Sequence, residues 1–197
     1  MVHDTHASDT APEPDSPGDD DISYKDWRSP AGAMIEVSID RKIWPDALVN
    51  SIQHTALKIF DDILAAHDSP PASVSLCLYD DFQMRQINWR HRQIYKATNV
   101  LSFPAYDMPS YRLKLGAPAL LGDIVIAAET VTREAESLQI PLADHLFHLF
   151  VHGMLHLFGY DHIDDDMAET MESLEIKFLG NIGIANPYQD AQLEVDK

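Results

Sequence analysis

At 197 residues, 45% of them hydrophobic and one of them cysteine, the chain is long enough for one domain with a buried core and excludes a disulfide-stapled scaffold. A net charge of −18 excludes a uniformly basic nucleic-acid-binding surface. The charge is uneven, however: residues 1–33 hold eight acids and two bases, residues 161–197 hold ten and two, and residues 82–120 carry Arg85, Arg90, Arg92, Lys96, Arg112 and Lys114 against Asp107. That basic stretch can meet phosphates while the acidic ends stay in solvent.

Residues 1–33, rich in Asp, Pro, Ser and Thr, read as a disordered acidic tail, with order beginning near Met34. Ile35, Val37 and Ile39 alternate as in a strand with one buried face. Pro45 suits the first turn of a helix on which Leu48, Ile52, Ile59 and Ile63 share a face. Pro70-Pro71 breaks the chain before a strand at 73–79, where Cys77 reads as a small buried hydrophobe. Asp80 caps a helix to about Arg90. Then come a strand at 99–103, a loop over 104–118, a strand at 120–127 and a helix over 128–138. Pro141 opens a helix to about Phe158. Asp164–Asp166 cap a last helix ending near Leu179, and residues 183–197 read as a flexible tail. Strands and helices mixed without strict alternation predict an α+β fold: one domain over 34–182, with a small mixed sheet and surrounding helices. No apolar run reaches membrane-spanning length and the N-terminus lacks a signal-peptide core, so a cytoplasmic location is expected.

The most informative stretch is VHGMLHLFGYDH, with His152, His156 and His162 spaced H-x3-H-x5-H. The first two share one helical face, one turn apart. Gly159 can end the helix and let the chain return His162 towards them. Three imidazoles with a fourth position open are the ligand count of a catalytic zinc site; a structural site would want a fourth protein ligand. His145 and His148 lie on the same stripe, and His148 is a possible substitute ligand. A pair at 148 and 152 would leave His156 and His162 unexplained, which favours the later three. The spacing matches that of metzincin proteases, but those carry glutamate directly after the first histidine as general base. Here that position is Gly153.

The fuller string HGMLHLFGYDH resembles the signature of the YbeY family, bacterial rRNA maturation factors regarded as single-strand-specific endoribonucleases. INWRHRQIYKATNVLSFP and LLGDIVIA are similar to two further family segments, so the resemblance covers roughly residues 82–180 in the right order. It implies a metzincin-like metal helix, one zinc ion per chain on His152, His156 and His162, and a catalytic set of Arg92 and His152. It implies single-stranded RNA, rRNA and the ribosome or its proteins as partners, in maturation of the 16S 3′ end and ribosome quality control, with neither DNA nor membrane involved. Asn99 and His145 depart from the family pattern, standing where many members have Asp and Glu. Asn88 and Ser102 match it.

The residues support part of this directly. Arginine offers a planar fork of donors suited to phosphate, and Arg92 lies in the basic segment. Asp161 can orient a ligand imidazole or bond its own turn backbone. Asp123, a charge inside a strand, can brace the wall of the site or serve structure alone. Zinc lowers the pKa of a bound water towards ~7, enough for metal-assisted phosphodiester hydrolysis, and attack by the RNA's own 2′-hydroxyl is a second route. Two rivals remain at this level. One is a non-catalytic assembly factor stabilised by zinc. The other is a zinc peptidase with its base outside the motif.

Overall fold

The computed structural model describes residues 21–105 and 119–189. Its five strands, β1 (Ile22–Arg28), β2 (Met34–Asp40), β3 (Ala72–Tyr79), β4 (Val100–Pro104) and β5 (Ala119–Ala127), form one sheet in the order β1-β2-β3-β5-β4. β2, β3 and β5 run parallel, and β1 and β4 close the two edges antiparallel. Helices α1 (Asp46–Ala66), α2 (Asp81–Arg92), α3 (Ala128–Leu138), α4 (Leu142–Leu157) and α5 (Asp165–Gly180) complete the α+β domain. Among the described residues no helix is long and apolar enough to cross a membrane.

The alternating Ile35, Val37 and Ile39 point into the main core, which α1 and α4 cover with Ile52, Ile59, Phe60, Ile63, Val151 and Met154. The other face of the sheet carries a smaller cluster, Met84, Leu101, Val125 and Ala127, beneath α2. Cys77 packs at its margin, half-buried rather than fully buried.

Order begins before Met34. β1 pairs with β2 from Ile22↔Asp40 to Arg28↔Met34, and Trp27 is 2% exposed. Gly32, at φ +102°, makes the turn between the two strands. Ser29 fixes that turn by accepting from the Ala33 amide at 3.1 Å and donating to Asp61 at 2.8 Å. The expected boundary at residue 33 is thus too late, because a single large apolar side chain anchors an otherwise polar edge strand. The C-terminal boundary moves as well: Tyr188, expected in a flexible tail, packs on α5 with its hydroxyl on Glu175. Most of the expected loop at 104–118, with Arg112 and Lys114, lies outside the described residues, as do residues 1–20 and 190–197.

Two helices that lead to the site start at a common point. Asp80 caps α2 as predicted, accepting from the Gln83 amide at 2.6 Å, and Gln83 returns the bond to the Asp80 amide. α3 has Ala127 at its N-cap, which offers no side-chain oxygen. Asp81 supplies it from the neighbouring helix, accepting from the Thr130 amide at 2.9 Å, while Glu129 accepts from the Asp81 amide at 2.7 Å. Each helix thus satisfies an otherwise unpaired amide of the other. At the far end of α2, Gln93 turns left-handed at φ 58°, and buried Asn88 donates to the Lys96 carbonyl at 2.7 Å. That clamp gives Asn88 its role: it fixes the turn that follows His91 and Arg92.

Candidate metal centre

α4 ends in a hydrogen-bonded turn that builds half of the site. Gly159, at φ +93°, donates to the His156 carbonyl at 3.0 Å, and Tyr160 donates to the Leu155 carbonyl at 3.1 Å. This is the Schellman arrangement of a helix stopped by glycine, as the sequence predicted. The reversal brings the Tyr160 carbonyl back over the last turn, where His156 Nδ1 donates to it at 3.0 Å. From the C-cap of α1, His67 bonds the Tyr160 hydroxyl at 3.1 Å and packs against Phe158, with ring centroids 4.5 Å apart.

The other half comes from α5. Glu175, 1% exposed, accepts from His152 Nδ1 at 2.8 Å, from His148 Nε2 at 2.9 Å and from the Tyr188 hydroxyl. Burial alone would raise its carboxyl, but the bonds from His148, His152 and Tyr188 outweigh it and hold the group down at about 2. As an ionised acceptor Glu175 requires the proton of His152 on Nδ1. His152 and His156 therefore both present Nε2 lone pairs, and these face each other 3.1 Å apart. Two acceptors at that distance repel unless a cation or a proton lies between them. Burial, followed by the neighbouring His152, lowers the pKa of His156 and so disfavours the proton. His162 completes the group, its ring centroid 5.5 Å from that of His152 and 5.2 Å from that of His156. Ligand nitrogens of the three all lie within 4.8 Å of one another, an arrangement that can hold a metal ion. The donor set fits zinc: three neutral imidazoles, two of them fixed in tautomer by an outer carboxylate and a backbone carbonyl.

The imidazoles open into a cleft of about 700 Å³ whose other walls are the end of α2, with His91 and Arg92, and β4, with its flanking Thr98 and Asn99. Exposed Arg92 thus shares the cleft with the three histidines. α4 meets the sheet at Gly153, where a Cβ would lie 3.0 Å from Ser102 Oγ and from Ile124 Cγ2. Ser102 therefore marks the close approach of β4 to the helix that carries His152 and His156. A glutamate at position 153 would press into the sheet.

The profile of the Endoribonuclease YbeY family matches residues 38–183. The chain belongs to that family. An Endoribonuclease YbeY of Rhizobium meliloti is 44% identical over 162 residues, 79% of this chain and 95% of the relative. One of Agrobacterium fabrum is 53% identical over 168 residues, 80% of this chain and 96% of the relative. A solution structure from Thermotoga maritima covers 67% of this chain and 84% of its own at 20% identity, with a TM-score of 0.47.

The two departures from the family pattern meet in space. Asn99 Nδ2 donates to Glu134 at 3.0 Å, and His145 Nε2 lies 2.9 Å from the same carboxylate oxygen. An aspartate at 99 would set two carboxylates against each other, and α3 instead supplies the acid between amide and imidazole. His148, considered as a substitute ligand, spends Nε2 on Glu175 and stays outside the three-histidine group. Asp161 accepts from the His162 amide at 2.8 Å, so it shapes the turn rather than an imidazole. Asp123, half-buried on β5 opposite Phe103, is not among the residues lining the cleft. Glu175 and Tyr188 were missed from sequence. The available signal was a glutamate on the apolar stripe of α5, flanked by buried Met171, Phe178 and Leu179.

Proposed function

We propose that this protein is a zinc-dependent endoribonuclease that cuts single-stranded RNA, acting on ribosomal RNA at the 16S 3′ end and in ribosome quality control. The observation that carries the reading is the cleft shared by three convergent imidazoles and an exposed arginine. His152, His156 and His162 hold one zinc ion. When bound, that ion supplies the nucleophile by acidifying a water molecule. Glu175 holds His152 with Nε2 towards the site, and the Tyr160 carbonyl does the same for His156. Arg92 makes no ion pair with the described residues. Its guanidinium grips the phosphate and stabilises the charge that develops there. An attacking 2′-hydroxyl would use the same grip.

Family membership and Gly153 both weigh against a peptidase. The assembly-factor reading needs a site closed by a fourth protein ligand, and the described residues bring three together. The net charge of −18 repels naked RNA, which leaves placement on the substrate to the ribosome or its proteins, in the cytoplasm. The test is cleavage of matched single- and double-stranded RNA, with chelator and with zinc restored, alongside a casein digest. Zinc-dependent cutting of the single strand alone is expected. Cutting that survives chelation, or casein hydrolysis without RNA cleavage, overturns the proposal.

A further inference from the structure

We propose that the cleft contains a nucleobase subsite, built from His91 and Phe103, that makes this centre select unpaired RNA. The inference rests on the endoribonuclease reading and deepens it. His91 lies exposed in the last turn of α2, and Phe103 on β4 is half-buried, its ring held against the Met84, Leu101 and Val125 cluster. Their ring centroids are 4.4 Å apart at an interplanar angle of 42°. His91 is exposed and Phe103 half-buried, so imidazole surface faces solvent on the cleft side and is open to a third ring. Both residues line the same cleft as Arg92 and the imidazoles.

The order of groups across the cleft suits one nucleotide strand. β4 is an edge strand among the described strands, and it separates α2's end from α4. The Ala127 amide bonds the Asn99 carbonyl, and Val100 pairs with Ile126. Residues 99, 101 and 103 therefore bond to β5, and Ser102 turns its amide and carbonyl to the free edge. A base seated on His91 and Phe103 would place its phosphate beside Arg92, its sugar along the Ser102 edge, and the next phosphodiester towards the histidines. A paired base has both faces stacked and its edge occupied, and cannot enter. A single-stranded base can splay onto aromatic and imidazole rings. Charge complementarity selects a polyanion over a peptide: residues 82–99 carry Arg85, Arg90, Arg92 and Lys96 and no acid, in a chain of −18.

The experiment uses the zinc-loaded full chain and a single-stranded RNA oligonucleotide, intact or with one abasic nucleotide at each position around the cut. The native protein should lose about tenfold in kcat/KM at one abasic position. His91→Ala and Phe103→Leu should lose the same factor on intact RNA and nothing further on that abasic RNA, with zinc content and melting temperature unchanged. The leucine keeps the contact with the cluster, and Tyr24→Ala, on exposed β1 surface, serves as the unaffected control. Variants that match the native protein on intact RNA, or that lose activity additively on abasic RNA, overturn the subsite. So does an unstructured peptide that competes as well as the oligonucleotide. If the native protein cuts neither the oligonucleotide nor ribosome-bound RNA, the endoribonuclease reading falls, and the same abasic series read by equilibrium binding still decides the subsite.

Discussion

His145 and His148 occupy the first half of α4, and His152 and His156 the second, on one continuous stripe. In the first half Nε2 is engaged: His145 with Glu134 and His148 with Glu175. In the second half Nδ1 is engaged, with Glu175 and the Tyr160 carbonyl, and Nε2 is left for the cleft. Residue type and helical phase are the same in both. What differs is which nitrogen the neighbouring element claims, and that decides which imidazoles are available to a metal. Which imidazole nitrogens face the cleft is set by α5 and the Gly159 turn as much as by the helix that carries the histidines.

The comparison breaks most sharply under alanine. His152→Ala and His156→Ala should each lose more zinc affinity than the roughly 10–100-fold that removal of an outer partner costs. Full zinc occupancy in both, by elemental analysis, would sink the assignment. Glu175→Gln is next. It removes the charge that fixes His152 and should weaken zinc by roughly 10–100-fold in a competition titration with a chelator. His148→Ala keeps all three candidate metal nitrogens intact, so zinc should stay at one per chain while stability falls by about 2 kcal/mol in urea unfolding. Loss of the metal there would mean that the two halves exchange roles.

The smallest effect tests the carboxylate side away from any metal. Burial pushes Asp81 up, but Arg133 and Thr130 more than offset it and hold the carboxyl below the ordinary aspartate range. A depressed carboxyl stabilises the fold fully above about pH 4, the unfolded value, and the contribution fades as pH falls through the folded value. Asp81→Asn should cost about 1 kcal/mol at neutral pH, as a lost helix cap does, and should flatten the acid limb of the stability profile. An unchanged acid limb would show that the reciprocal capping contributes nothing.

Periodicity made most of the fold legible. β2 announced itself by the alternation of Ile35, Val37 and Ile39, β3 and β5 by strand-like apolar runs, α1 by its apolar face, α2 and α5 by aspartate caps and α4 by Pro141 and Gly159. β1 was hidden because it is an edge strand with one fully buried side chain, Trp27, and ISYKDWR shows no alternation to read. The centre was half legible. His152, His156 and His162 are joined by local geometry that spacing encodes. Glu175 and Tyr188 reach the site from a different helix and from beyond it, and no local pattern marks a contact of that range. The odd residues Asn99 and His145 were visible as departures, but what reconciles them is Glu134, which only packing brings between them.

The short β4 has a further consequence, for self-association. A strand whose outer edge must stay open to admit a substrate also offers that edge to the sheet of another molecule. Its five residues are a poor template for such pairing, and Pro104 removes an amide that an incoming strand would need. The end of α2 and the histidine-bearing α4 line the same cleft as β4, so the described surroundings of this edge are a concave wall rather than a flat one. Shortness and a terminal proline thereby guard the same edge against pairing with the sheet of another molecule.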